Sequence, residues 1–359
     1  MRLALPCGAV RVLVVDDSVV VRQMVSRVVA GEPLLELAGV ASNGHLALEK
    51  LERTRPDVVV LDLEMPEMDG LETLAAIRSR YPKLPVIIFS HLSSAGASAT
   101  LEALALGATD FALKPSANGI GLAEQHVRDE LVHRVMALFP QARTMVTPSP
   151  VHPSPSLASS RSSRSTPIAA IVVAVSTGGP NALAELVPAL PHDLPVPMLI
   201  VQHMPPVFTN MLAQRLDRIA AISVCEAGHG DEVLPGRIYI APGGRHMTVA
   251  GSQGHVRVEL SDGPSENSCR PAADVLFRSA AEIFGAGTLA VVLTGMGCDG
   301  LRGAEAVRAA GGPVLAQCEA TSVIASMPGA VAAAGLADAV VPLDQLASQL
   351  VRWTSRGRP

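Results

Sequence analysis

Short apolar runs alternate with amphipathic stretches along this chain, and the alternation runs through twice. VRVLVVDD (10–17), PDVVVLDLEMP (56–66) and LPVIIFS (84–90) are dense in Val, Ile and Leu, as expected of strands buried on both faces. SVVVRQMVSRVVAG (18–31) and LETLAAIRSRY (71–81) place apolar residues at helical spacing, and the first ends on glycine, a common helix stop. Strands alternating with helices predict a parallel sheet covered on both faces. The pattern restarts at 168. IAAIVVAVS (168–176), PVPMLIVQH (195–203) and TLAVVLTG (288–295) read as strands, as do VLAQC and ADAVVP. PNALAELVPAL, VFTNMLAQRLDRI and ADVLFRSAAEIFG (273–285) read as helices, and GRIYIAP with HVRVELS as a small antiparallel excursion. The second half is therefore a second doubly wound α/β domain.

Between the halves lies ARTMVTPSPVHPSPSLASSRSSRSTP (142–167), in which Pro and Ser dominate. Such a segment cannot bury enough apolar surface to offset its ordering entropy, so it predicts a mobile linker, either a plain spacer or a regulatory element. The 359 residues suit two domains of ordinary size. No apolar run is long enough to span a membrane, and MRLALPCGAV is too short in its apolar part for a signal peptide. Five scattered cysteines without a CxxC spacing fit reduced thiols in a cytosol. Net charge −5 with 3% aromatics excludes a nucleic-acid groove as an expectation.

The candidate chemistry falls at strand ends. Asp16, Asp17, Asp62, Ser90 and Lys114 all stand at the carboxyl ends of predicted strands, where open parallel sheets bind ligands. Three carboxylates brought together need an offsetting cation, and Mg²⁺ suits carboxylates plus phosphate oxygens. Asp62 is then the phosphoacceptor, with Lys114 neutralising phosphate charge and Ser90 donating a hydrogen bond to it. Taken singly, Ser90 also reads as a helix cap. Lys114 is one of three lysines in the chain, which makes its place at the end of FALKP less casual.

VLVVDDS, VVVLDLEMPEMDGL and GATDFALKP occur in that order, and with them residues 10 to 138 resemble a two-component response-regulator receiver domain. The resemblance implies a flavodoxin-like five-stranded parallel sheet, phosphorylation at Asp62, and Mg²⁺ held by Asp17, Asp62 and the Glu64 carbonyl with help from Asp16. It also puts Phe111 at the aromatic switch position and implies a histidine kinase as phosphodonor. Serine at 90 stands where many receivers have threonine.

In the second half Ser176 ends a strand and is followed by Thr-Gly-Gly-Pro, a turn whose amides and helix N-terminus suit an oxyanion. The flanking residues are not those of the G-x-S-x-G elbow, and the same turn serves equally to bind phosphate. His203 is delivered by another buried strand, with His246 in APGGRHM as its rival. Asp299, in LAVVLTGMGCDG, completes a Ser-His-Asp set in which serine attacks, histidine moves the proton and aspartate fixes the tautomer.

VSTGGP, VQHMPPVFT, YIAPGGRHM, RPAADVLFRSAA, VLTGMGCDG and AQCEATSVIASMP together resemble the catalytic domain of the chemotaxis protein-glutamate methylesterases, the CheB family, over 168–353. The resemblance implies Ser176, His203 and Asp299 as the triad, Thr177 and Met296 lining the site, and the Met296 amide as an oxyanion donor. It implies hydrolysis of glutamate 5-methyl esters on chemoreceptors with release of methanol, with no cofactor for that step, and in some members deamidation of receptor glutamine. It departs from the family at Cys318, where aspartate is common, and at Cys298, where a polar or charged residue is. A binding-only, catalytically silent output domain is the alternative from another class. A transcriptional role is opposed by the balance of 12 basic to 16 acidic residues over 168–359. The expectation is thus a cytoplasmic, phosphorylation-activated esterase without nucleic-acid partner or membrane insertion.

Overall fold

The computed structural model describes residues 8–115, 120–140, 166–252 and 254–355. All but the last two positions of the Pro/Ser-rich stretch 142–167, and the N-terminal MRLALPC, lie outside these residues. The chain divides into two compact units, Met1–Arg164 and Ser165–Pro359.

In the first unit β1 (Val10–Val15), α1 (Val19–Ala30), β2 (Leu35–Ala41), α2 (Gly44–Thr54), β3 (Val58–Leu61), α3 (Gly70–Arg80), β4 (Val86–Ser90), α4 (Ser94–Ala105) and β5 (Asp110–Leu113) alternate strictly. A last helix starts with α5 (Ile120–Val127) and continues through a wider π turn to Leu138. The strands form one parallel sheet in the order β2-β1-β3-β4-β5, the flavodoxin-like arrangement. Local chemistry sets the helix starts. The Ser18 hydroxyl accepts from the Val21 amide to cap α1, and Asp69 with Glu72 forms a capping box at α3. The strand expected over 56–66 ends at Leu61, because the Asp62 carboxylate takes the Leu63 amide at 2.8 Å and turns the chain out of the sheet. Val12, Val14, Val25, Val28, Phe89 and Leu131 pack the core on one face of this sheet.

The second unit runs β6 (Ala170–Val175), α6 (Gly179–Leu186), β7 (Met198–Gln202), α7 (Phe208–Ile219), β8 (Ser223–Glu226), β9 (Arg237–Ile240), β10 (His246–Ser252), β11 (His255–Ser261), α8 (Ala273–Phe284), β12 (Thr288–Val292), α9 (Leu301–Ala309), β13 (Val314–Gln317), α10 (Ser326–Ala333), β14 (Ala339–Val341) and α11 (Leu343–Ser355). Seven strands form a parallel sheet in the order β14-β13-β12-β6-β7-β9-β8. The antiparallel hairpin is β10 with β11. GRIYIAP is not part of it: β9 lies inside the parallel sheet between β7 and β8. Its last three residues are buried, whereas β11 buries alternate residues and leaves its other face in water, as a hairpin strand should.

In both sheets the strand order reverses beside the first strand of the unit, between β1 and β3 and between β6 and β12. Such a reversal opens a crevice beyond the carboxyl ends of the strands. Among the described residues no helix is long and apolar enough to cross a membrane.

Phe277 on α8 is wholly buried with Leu276, Val249 and Val258, between the sheet and the hairpin. Phe277→Ala should cost about 3–5 kcal/mol. Chemical denaturation of the full chain checks this through the transition of the second unit; an unmoved midpoint would contradict the packing.

Candidate functional site

The first crevice gathers Asp16 and Asp17 after β1, Asp62 after β3 and Lys114 after β5. One oxygen of each of the three carboxylates lies within 4.8 Å of the others; Asp16 and Asp62 are buried and Asp17 is exposed. The Lys114 ammonium stands 2.8 Å from Asp16 Oδ2 and 2.8 Å from Asp62 Oδ2. Burial pushes the Asp62 carboxyl above its ordinary value and the Asp16 charge adds to this, with Lys114 acting the other way. Burial alone would lower the Lys114 ammonium, but its two carboxylate partners outweigh it and raise it. Three carboxylates against one ammonium leave a surplus of negative charge, and the all-oxygen donor set fits a hard metal ion. The turn after β3 brings the Glu64 backbone to the cluster, its amide 3.4 Å from Asp62 Oδ1. Ser90 is buried at the end of β4, and its carbonyl accepts the Lys114 amide at 2.7 Å. Phe111 is buried in β5, three residues before Lys114.

In the second crevice Ser176 and His203 leave the ends of adjacent strands. The Ser176 amide donates to the Thr294 carbonyl at 3.0 Å, and the His203 amide to the Val175 carbonyl at 3.1 Å. Gly295 permits this closeness, since a Cβ there would stand 2.8 Å from Ser176 Cβ and 2.3 Å from Met327 Sδ. Gly178, at φ +76°, makes the sharp entry into α6. Among the described residues the Thr177 and Met296 amides have no hydrogen-bond acceptor, and neither has the Ser176 hydroxyl a partner. Thr177 is buried, while the Met296 side chain is 36% exposed.

His203 Nε2 lies 2.7 Å from Asp299 Oδ2. Its other nitrogen, Nδ1, faces Cys269 Sγ at 3.6 Å. Asp299 is held on every side. Oδ2 also accepts the Ala273 amide at 2.6 Å; Oδ1 accepts the Asp274 amide at 3.1 Å and Asn267 Nδ2 at 3.0 Å. Ala273 and Asp274 open α8, which has no side-chain cap of its own, so Asp299 caps that helix across the fold. Asp274 returns the arrangement. Its Oδ1 accepts the Gly300 and Gly303 amides at 2.9 and 2.6 Å, at the start of α9, which also lacks a local cap. Each carboxylate thus sits at the positive end of the other's helix.

Burial would raise the Asp299 carboxyl, but the His203 contact and the Ala273 and Asp274 amides outweigh it and hold it below the ordinary value. Burial likewise would lower His203, yet the bonds to Asp299 and Cys269 carry it from 6.5 up to about 9. The rival His246 has no free nitrogen. Its Nδ1 accepts the Ala272 amide at 3.2 Å and its Nε2 lies 3.0 Å from the Pro264 carbonyl, so it braces the segment leading into α8. Cys298 is exposed, and Cys318 Sγ lies 3.5 Å from the Thr321 hydroxyl. In the second half His203 and Asp299 are in contact while Ser176 stands at the end of the adjacent strand; in the first, Asp16, Asp17, Asp62 and Lys114 meet, while the Ser90 hydroxyl lies within 3.5 Å of the His91 and Gly96 carbonyls. The structure adds Asn267, Cys269 and Asp274, which the sequence reading did not single out. For Asp274 a signal existed, a carboxylate set among the apolar residues of PAADVLF. For Cys269 there was none.

Residues 12–122 match the model of the response regulator receiver domain, and residues 171–350 that of the CheB methylesterase. A protein-glutamate methylesterase/protein-glutamine glutaminase of Nocardioides sp. is 46% identical over 355 residues, covering 98% of this chain and 97% of the relative. One from Caulobacter vibrioides, bearing the same name with the suffix 2, is 49% identical over 337 residues, covering 94% of this chain and 96% of the relative. Among solved structures, the Thermotoga maritima CheB methylesterase catalytic domain is 42% identical with a TM-score of 0.51, covering 52% of this chain and 99% of that domain. A receiver domain joined to a hydrolase domain is the class that these folds and matches define, and the chain belongs to the CheB family of response-regulator methylesterases.

Two outcomes test the histidine assignments. His246→Ala should lower the melting temperature at every pH, since it removes the brace under α8. For His203, whose folded pKa lies above the unfolded one, the protonated form favours folding. That contribution is fully present below about 6.5 and is lost as pH rises through about 9. Wild type should therefore lose stability relative to His203→Gln across that window in melting curves; parallel curves would contradict the raised pKa.

Proposed function

We propose that the chain is a cytoplasmic protein-glutamate methylesterase acting on glutamate 5-methyl esters of chemoreceptors and activated by phosphorylation. Its receiver domain spans 10–138 and its esterase domain 168–353. The observation that carries this reading is the 2.7 Å His203–Asp299 pair at the end of β7, one strand from Ser176, whose hydroxyl is free to attack. Asp299 occupies Nε2, so proton exchange with Ser176 falls to Nδ1, and the serine hydroxyl must displace the 3.6 Å Cys269 contact to reach it. Ser176 Oγ attacks the ester carbonyl while His203 takes its proton. The Thr177 and Met296 amides, orphaned in this structure, suit the developing oxyanion. Collapse breaks the bond to methoxide, which leaves as methanol with the proton from His203. Water, activated by the same imidazole, then frees glutamate from the serine ester. Deamidation of a receptor glutamine follows the same path with ammonia as the leaving group, and the names of the relatives include that activity.

In the receiver domain Asp62 is the phosphoacceptor, with a chemotaxis histidine kinase as donor. Asp16, Asp17, Asp62 and the Glu64 carbonyl would hold Mg²⁺, which supplies charge neutralisation for the phosphoryl group. Lys114 and Ser90 would then contact the phosphate oxygens, and Phe111 would respond as the aromatic switch.

Ser176→Ala should lower methanol release from methylated receptor membranes roughly 10⁴- to 10⁶-fold. Wild type that binds such membranes and releases no methanol would instead indicate a binding-only output domain. Asp62→Asn should abolish phosphate incorporation from a small phosphodonor in the presence of Mg²⁺; labelling at the wild-type rate would overturn the assignment of Asp62.

A further inference from the structure

Two carboxylates face each other behind His203, and one neutral side chain bridges them. Asn267 Nδ2 donates to Asp299 Oδ1 at 3.0 Å and to Asp274 Oδ2 at 2.9 Å. A carboxamide nitrogen carries two hydrogens, one for each acceptor. Both aspartates are buried, Asp274 completely, and the charge of each disfavours ionisation of the other. The turn that presents Asn267 is built for the purpose. Asn267 and Ser268 both have positive φ, +52° and +61°, Glu266 and Cys269 exchange backbone hydrogen bonds across the turn, and Arg278 on α8 grips Glu266 with two bonds of 2.7 and 2.6 Å. Asparagine tolerates the left-handed region better than most residues with a Cβ. The same turn sets Cys269 against His203 Nδ1.

We infer that Asn267 is a positioning residue of the esterase site: its amide holds Asp299 and Asp274 together as carboxylates and thereby fixes the orientation of the His203 imidazole. This rests on the triad reading given above. An Asn267 amide contributes no charge, so it relieves repulsion without competing with His203 for Asp299. Removing it leaves Asp299 Oδ1 with the Asp274 amide alone, Oδ2 with His203 and the Ala273 amide, and the two carboxylates with no bridge between them. The charged and titratable groups that face Asp299 or His203 here are Asp274 and Arg278 from α8, Glu266 and Cys269 from the turn, and each other.

Asn267→Gly keeps the backbone conformation at φ +52° and deletes the amide; Asn267→Asp keeps the shape and adds a carboxylate. In the full-length protein, Asn267→Gly should lower kcat for methanol release about 10- to 100-fold with KM nearly unchanged. Asn267→Asp should move the acid limb of the rate–pH profile upward by about one unit, because another negative charge favours protonated His203. A structural role alone predicts a lower melting temperature in both variants with the wild-type pH profile and kcat, and that result overturns the inference. The triad reading fails separately: Ser176→Ala with wild-type methanol release would sink it whatever Asn267 does.

Discussion

Capture of the Asp299 carboxylate is the interaction on which the second unit's site depends. A carboxylate withdrawn from water is costly unless its lone pairs are met. Here an imidazole, two helix-start amides and one side-chain amide meet them, from three separate segments of chain. The cost of burial is what makes the geometry specific: the loop after β12, the turn before α8 and the end of β7 must all arrive together or the charge is stranded. The exchange of caps between α8 and α9 extends the constraint. Each helix is started by the carboxylate that belongs to the other's neighbourhood, so loss of either frays both.

The receiver unit meets a similar problem by another route. Asp16 and Asp62 are as buried as Asp299, but beside local amides from Ser18, Leu63 and Glu64 they share a buried ammonium. An ion pair can be broken and re-formed around an incoming phosphoryl group, whereas a web of backbone amides cannot without unfolding helix starts. On the proposed reading, a switch calls for the first and a fixed carboxylate for the second. Both sites occupy the same place in their sheets, the carboxyl edge where the strand order reverses.

Much of this was legible in the sequence because it depended on strand ends. A run such as IVVAVS announces both a buried strand and the residue that leaves it, so Ser176, His203, Asp62 and Lys114 could be placed by position alone. What stayed hidden depended on contacts between distant segments. Neither α8 nor α9 carries a capping residue at its own start, and no local pattern says that Asp274 and Asp299 trade places. Asn267 lies in PSENSCRP, which reads as an ordinary turn. GRIYIAP was misread for a related reason: a four-residue buried strand does not declare its partners, and its nearness in sequence to HVRVELS suggested a pairing that the sheet does not make.

The protonation of His203 reports on the Asp299 cradle more directly than any rate. Following the imidazole ¹⁵N resonances of His203 against pH, in wild type and in Asp299→Asn, isolates the contribution of that one carboxylate. The expected result is a wild-type titration near pH 9 that falls in the variant, where the Cys269 contact alone is left to oppose burial. A His203 that titrates near 6.5 in both proteins would contradict the claim that a pre-organised carboxylate governs this site.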